Sequence, residues 1–219
     1  MKALVIDSAT PCISIAARNN EKHAQLTIEA GRHQSEHIIP CIEQVLSLAD
    51  LHAEELNVAA LCAGPGSFTG LRLGFAALKG LAAACPSPIP VYGIGTLEAY
   101  ALPYSAWQGA VIPVIDARKH RFYAAVYRSG TEIAAPQDAA AEQILAMIDP
   151  EERALAVGAD AVYFAECAEQ VRPHQQLITF APVPKSCCEQ LFFLAEKKFR
   201  TGEKGITEFD GPQYFRAEI

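Results

Sequence analysis

The first half of the chain alternates between short apolar runs, which predict strands, and segments with apolar residues three and four positions apart, which predict helices. Three strands come first and form a meander with polar turns between them. Two helices and two further strands follow, and Thr96 is expected to cap a short helix. The predicted elements are strands over 3–7, 12–17, 24–28, 58–63 and 89–94, and helices over 33–49 and 68–84.

The second half repeats this order of elements. Its first strand ends in Val-Ile-Asp at 114–116, as the first strand of the chain does at 5–7. The predicted elements are strands over 110–116, 122–127, 131–134, 154–157 and 177–180, and helices over 138–148, 160–170 and 186–200. We therefore predict a duplicated α/β chain with one half over 1–102 and the other over 103–219.

The composition is that of a globular protein, and the net charge limits the classes of partner that the chain can bind. Of its 219 residues, 51% are hydrophobic and 20% are charged, which excludes a disordered or fibrous chain. The net charge of −7 disfavours autonomous binding of DNA or RNA, because such a surface does not neutralise phosphates. The seven cysteines form no Cys-x-x-Cys motif, and no apolar segment is long enough for a membrane span. We expect the thiols to be reduced, and a redox pair at Cys187-Cys188 is the lesser alternative. We also expect a cytoplasmic protein without membrane contact.

A glycine-rich block over 64–74 lies between a predicted strand and the helix over 68–84. Such a loop can bind an anion through backbone N–H groups, but the block lacks the Lys-Ser/Thr of a nucleotide-binding P-loop. Gly66, Gly70 and Gly74 recur every four residues, and Ala77 follows near the same stripe. Two glycines in a helix each cost about 1 kcal/mol relative to alanine, so they need a packing or ligand reason. We favour close packing of a second helix, from within the chain or from a partner subunit, over phosphate binding.

Asp7 and Asp116 end the two matching strands and are candidates for holding a Mg²⁺–nucleotide in a cleft. The alternative is that each carboxylate makes hydrogen bonds in its own turn. The turns over 8–11 and 117–120 contain no glycine, which weakens the case for an ATP-dependent phosphotransferase. The basic cluster Arg118–Arg121 is expected to form a solvated hairpin turn, with contact to RNA or a nucleotide as the lesser alternative.

His33 and His37 have the i, i+4 spacing of two metal ligands on one helix face. This spacing leaves a metallopeptidase open as an alternative. No third ligand is evident and the HExxH pattern is absent, so we predict a solvated first turn of a helix and no metal site.

Four segments of the chain together resemble the TsaB (YeaZ) family, whose members take part in the biosynthesis of threonylcarbamoyladenosine (t6A) in tRNA. They are ALVIDSAT at 3–10, GPGSFTGLRLG at 64–74, VIDARKHRFYAAVY at 114–127 and PQYFR at 212–216. The resemblance implies the actin-like/Hsp70-like/sugar-kinase (ASKHA) fold, built from two RNase H-like halves. This agrees with the duplication.

The resemblance also implies a function. Such a protein is a non-catalytic scaffold for the related catalytic subunit TsaD, with the ATPase TsaE joining them. Together they modify the adenosine next to the anticodon in tRNAs that read codons beginning with A. No cofactor is then expected on the isolated chain, ATP or ADP enters only in the complex, and tRNA is bound indirectly. The metal-binding histidine pair of the catalytic subunit has no counterpart over 85–96.

In this family the first two helices pair with their counterparts on TsaD or on a second copy of the chain. Here these are the helices over 33–49 and 68–84, so the resemblance implies either pairing with TsaD or a homodimer. The predicted interface residues are Ile38, Ile42, Val45, Gly70, Gly74 and Ala77. No catalytic residue is assigned, and Asp7, Asp116 and Arg118 are the candidates for nucleotide binding.

Overall fold

The chain forms two compact units. The computed structural model describes residues 1–31, 33–158, 160–173, 178–180 (backbone only) and 186–215. Within this part, the first unit contains residues up to Thr96 together with 186–213. The second unit contains the remaining described residues from Leu97 onward.

The first unit is built on a five-stranded sheet with the order β3-β2-β1-β4-β5. β1, β2 and β3 pair antiparallel, whereas β4 and β5 continue the sheet in parallel. The elements are β1 (Lys2–Asp7), β2 (Cys12–Asn19), β3 (Lys22–Glu29), α1 (Gln34–Leu48), β4 (Val58–Gly64), α2 (Phe68–Ala84) and β5 (Val91–Gly95). The predicted meander and both long helices are confirmed.

The central strands of this sheet are apolar throughout because both of their faces are covered. Every residue of β4 is buried, as expected for a parallel strand between two layers of helices. Alternate residues such as Leu4 and Ile6 form one core with the buried stripes of α1 and α2. Among the described residues, no helix is long and apolar enough to cross a membrane.

The second unit repeats this topology. Its sheet has the order β8-β7-β6-β9-β10, with the first three strands antiparallel and the others parallel. The elements are α3 (Thr96–Ala101, at the boundary with the first unit), β6 (Ala110–Arg118), β7 (Arg121–Arg128), β8 (Thr131–Ala140), α4 (Ala141–Leu145), β9 (Ala154–Val157), α5 (Ala161–Val171) and β10 (Ile178–Phe180). The matching strand orders confirm the predicted duplication.

Several predicted bounds in the second half need correction. The strand predicted over 131–134 continues to Ala140, so the helix predicted over 138–148 shrinks to α4. The reason is pairing with β7: Ala140 lies opposite Arg121, and the Arg121 guanidinium donates to Asp138 Oδ1 at 2.6 Å. Thr96 is the first residue of α3 rather than its cap. Residue 177 of the last predicted strand and Arg216 lie outside the described residues.

The last helix, α6 (Cys188–Arg200), was expected to complete the second half but packs on the sheet of the first unit. It contacts β4, β1, β5 and β2. Its buried face supplies apolar side chains, and Glu189 Oε2 accepts from Arg18 Nη2 of β2 at 2.8 Å. The first unit is therefore discontinuous in sequence, which differs from the expected halves 1–102 and 103–219.

Replacing Phe192 by alanine is expected to lower the free energy of unfolding by about 3 kcal/mol, because a buried ring leaves a cavity. The Phe192 side chain is fully buried, with its ring edge-on to His23 at 5.7 Å between centroids and beneath the Arg18 guanidinium. Urea unfolding of the full chain measures the loss. The control is Phe193→Ala, since that side chain is 59% exposed. Equal effects of the two substitutions would contradict the docking of α6.

Candidate functional site

The glycine-rich loop is fastened to the turn that follows β1. Ser67 caps α2, its hydroxyl accepting from Gly70 N at 3.3 Å. Its own backbone N–H donates to Ala9 O at 2.7 Å, and Ser8 Oγ donates to Gly70 O at 2.8 Å. These bonds hold the first turn of α2 against residues 8–9.

The regular glycine spacing is explained by this contact. A Cβ atom on Gly66 would lie 2.5 Å from Ala9 O, and one on Gly70 would lie 2.0 Å from Ser8 O. A Cβ atom on Gly74 would lie 2.7 Å from Ser8 Oγ. The neighbour is a backbone turn of the same unit. Close packing therefore explains these glycines, but against this turn and not against the second helix that we predicted.

The structure corrects the predicted partner interface. Ile38, Ile42 and Val45 are at most 3% exposed. They form the core of the first unit, together with the β-sheet. Gly70 and Gly74 are also buried, and Ala77 is half-buried against the same core. The apolar stripe of each helix marks its inner face, because burying these side chains drives folding of the unit itself.

The outward faces of α1 and α2 carry a different set of apolar residues. On α2, exposed Ala76, Gly80 and Ala83 follow one another at spacings of four and three, which places them on one face. We call these three residues the outer face of α2. A Cβ atom on Gly80 would meet no atom within 4 Å. On the neighbouring α1, Ile39 and Leu48 are 49% and 60% exposed.

Asp7 lies in a buried cluster with two thiols, and is itself only 3% exposed. Its Oδ1 accepts from Ala9 N at 3.2 Å and from Cys62 Sγ at 3.5 Å. Its Oδ2 accepts from the backbone N and the Sγ of Cys187, both at 3.2 Å. The sulfur atoms of Cys62 and Cys187 are 3.4 Å apart. Asp7 was predicted as a candidate, whereas sequence reasoning considered Cys187 only as a possible redox partner of Cys188 and missed Cys62.

The thiols of this cluster are held in the protonated form. The hydrogen bond with Cys62, burial and the Asp7 carboxylate together raise the pKa of Cys187 well above its usual value. The hydrogen bond with Cys187 lowers the pKa of Cys62, but burial and Asp7 outweigh it and the pKa is raised. Protonated thiols can donate to Asp7 but are poor nucleophiles. The cluster therefore has no features of a covalent catalytic site.

Asp116 lies in the second unit and makes the hydrogen bonds of its own turn. Its Oδ1 accepts from Arg118 N at 2.7 Å, and its Oδ2 lies 3.2 Å from Arg118 Nη1. Its backbone N–H donates to Asp160 Oδ2 at 2.7 Å. Burial raises the pKa of Asp160, with the Asp116 charge adding to it and this hydrogen bond opposing it. The Arg118 side chain is 82% exposed.

The basic cluster forms the predicted hairpin turn between β6 and β7. Arg118, Lys119 and His120 all have positive φ values, of 68°, 56° and 56°. His120 Nδ1 lies 3.0 Å from the Tyr163 hydroxyl of α5. Contact of this turn with a nucleotide or RNA stays a prediction, as does a nucleotide held by Asp7 and Asp116.

His33 and His37 lie at the start of α1, where a solvated turn was predicted. His33 precedes the helix, is exposed, and its Nδ1 lies 2.7 Å from Glu36 Oε1. This hydrogen bond lowers the pKa of Glu36. Among the described residues, the three side chains close enough to share a metal ion are those of Asp7, Cys62 and Cys187, so neither histidine belongs to this group.

Comparison with known proteins identifies the family. The family model for tRNA N6-adenosine threonylcarbamoyltransferase (TsaD) matches residues 26–197, more than half of the chain. The tRNA threonylcarbamoyladenosine biosynthesis protein TsaB of Escherichia coli (strain K12) is 34% identical over 135 residues, 58% of this chain. The chain spans only 55% of that relative's length. TsaB of Bacillus subtilis (strain 168) is 25% identical over 99% of this chain and 94% of its own.

The fold has known counterparts among solved structures. YeaZ from Pseudomonas aeruginosa superposes with a TM-score of 0.75 and 21% identity, covering 97% of this chain and 99% of the other. This likeness supports the ASKHA fold that the sequence predicted. The matched family model, together with the TsaB relatives, shows that the chain belongs to the TsaB (YeaZ) family.

Proposed function

We propose that this chain is a non-catalytic subunit required for t6A formation in tRNA, acting by binding the catalytic subunit TsaD. The observation that carries the proposal is the outer face of α2, where exposed Ala76, Gly80 and Ala83 follow one another along the helix. Exposed alanine and glycine on a helix let a second helix approach closely, and on the adjacent α1 Ile39 is 49% exposed. These are the two helices with which the family resemblance associates partner binding.

The inner side of α2 supports a binding role over a phosphotransferase role. A phosphate that needed these glycines for close approach would have to lie on the side of Gly66 and Gly70 that a Cβ atom would occupy. Ser8 and Ala9 already occupy that space so closely that not even a methyl group fits. The loop is therefore a packing device, and the isolated chain is not expected to bind Mg-ATP in calorimetry.

The cellular location, the further partners and the way tRNA is bound are part of the same proposal. The chain works in the cytoplasm, where tRNA is modified, and TsaE with its ATP or ADP joins only the assembled complex. The net charge of −7 fits a subunit that binds tRNA indirectly, with the partner supplying the main phosphate-binding surface.

Reconstitution tests the proposed function. The chain, TsaD, TsaE, tRNA and threonylcarbamoyl-adenylate are mixed with one component omitted at a time, and t6A is quantified in the digested tRNA. We expect modification only when the chain and TsaD are both present. Modification by the chain without TsaD would show that it is itself the enzyme, and undiminished modification without the chain would show that it is not required.

A further inference from the structure

The buried carboxylate of Asp7 is held by neutral hydrogen-bond donors. Its contacts are the backbone N–H groups of Ala9 and Cys187 and the thiols of Cys62 and Cys187, all of them neutral donors. Within the described part of the chain, no lysine, arginine or histidine contacts it. A buried charge is normally paired with an opposite charge or coordinates a metal ion, because removing it from water is costly.

Three buried residues, Asp7, Cys62 and Cys187, are close enough together to supply three of the four ligands of a tetrahedral ion. Zinc lies about 2.3 Å from sulfur and about 2.0 Å from carboxylate oxygen, so tetrahedral ligands are about 3.8 Å apart for two sulfurs and about 3.5 Å for sulfur and oxygen. The observed separation is 3.4 Å between the sulfurs of Cys62 and Cys187. The sulfur of Cys62 lies 3.5 Å from Oδ1 of Asp7 and the sulfur of Cys187 lies 3.2 Å from Oδ2, and one donor atom of each residue lies within 4.8 Å of the other two.

We propose that Asp7, Cys62 and Cys187 bind a structural Zn²⁺ ion. Two thiolates favour a thiophilic ion over Mg²⁺ or Ca²⁺, which prefer ligand sets made of oxygen. When the two thiols lose their protons to solvent, the carboxylate, the two thiolates and the dication sum to −1, the charge that the site carries with neutral thiols, so zinc binding adds no net buried charge. It would also join three distant segments: the end of β1, the middle of β4 and the start of α6.

Metal analysis of the refolded full chain tests this site. Because the donors are buried, the protein is unfolded in urea with reductant, refolded with Zn²⁺ and freed of excess metal by gel filtration. We expect about one zinc ion per chain, as metal binding contributes to folding. Refolding with Co²⁺ should give a thiolate-to-cobalt absorption band. Wild-type protein that retains no metal would overturn the proposal, whatever the variants do.

Variants locate the ion. Cys62→Ala and Cys187→Ala are expected to lose both the bound zinc and the cobalt band. Cys41→Ala is the matched control, since Cys41 is a buried thiol of the same unit and lies on α1, outside the cluster. Retention of metal by the Cys62 and Cys187 variants would place the ion elsewhere and overturn the assignment.

A thiol titration excludes the other chemistry open to two neighbouring sulfurs. Denatured wild-type protein, purified without reductant, should show all seven cysteines as free thiols. Five free thiols in the wild type, against six in the Cys62→Ala variant, would indicate a Cys62–Cys187 disulfide and overturn the zinc proposal.

Discussion

Gly70→Ala is expected to lower the free energy of unfolding by more than about 4 kcal/mol, an exceptional loss for one substitution that here comes from overpacking against a fixed backbone. The added methyl carbon would lie 2.0 Å from Ser8 O and 2.7 Å from Gln34 Oε1. The glutamine can move, but Ser8 O belongs to the backbone turn after the central strand. Relief of the overlap therefore requires α2 to shift away from the sheet, breaking the bond from Ser8 Oγ to Gly70 O.

Gly80→Ala is the matched control in the same helix. It places the same methyl group where no atom lies within 4 Å, so it is expected to stabilise the chain by up to about 1 kcal/mol through helix propensity. Urea unfolding followed by circular dichroism compares the two variants with the wild type. If Gly70→Ala unfolded within about 1 kcal/mol of Gly80→Ala, the close approach of α2 to the turn would not be what requires glycine.

Most of the fold could be predicted because its information is local. Apolar runs bounded by turn residues gave strands such as β9, and the helical spacing gave both ends of α2. The repeated order of elements gave the duplication, which the two sheets show as one strand order used twice.

The placement of α6 could not be predicted from local pattern. Its apolar stripe predicts that one face of the helix is buried, but it does not predict which of the two sheets covers that face. That choice is made by contacts far apart in sequence, such as the bond from Arg18 to Glu189 and the packing of Phe192 on His23.

The orientation of α2 was ambiguous for a similar reason. Small residues occur on two faces of this helix, Gly70 and Gly74 on the inner one and Ala76 and Gly80 on the outer one. Hydrophobic periodicity does not separate two faces that are both lined with alanine and glycine. The Asp7 cluster escaped notice because its members are 55 and 125 positions apart and form no motif.

Ala76→Arg and Gly80→Arg are expected to weaken binding of the chain to TsaD by at least about 100-fold, which corresponds to about 2.7 kcal/mol. A charged side chain on the outer face of α2 would hold a partner helix away and would be desolvated without an opposite charge. Both positions are exposed, and arginine is a good helix former, so the chain should remain as stable as the wild type.

Val162→Arg provides the matched control, because it introduces the same charge at an exposed apolar position of α5 in the second unit. Titration calorimetry with TsaD and gel filtration of the chain alone report on pairing with the catalytic subunit and with a second copy. Full binding by folded Ala76→Arg would place the interface on another surface. Equal weakening by Val162→Arg would mean that added charge, rather than the loss of close helix packing, reduces the affinity. Weakening confined to the α2 variants is the outcome that follows from a helix-to-helix contact, since only there does the added side chain occupy the partner's space.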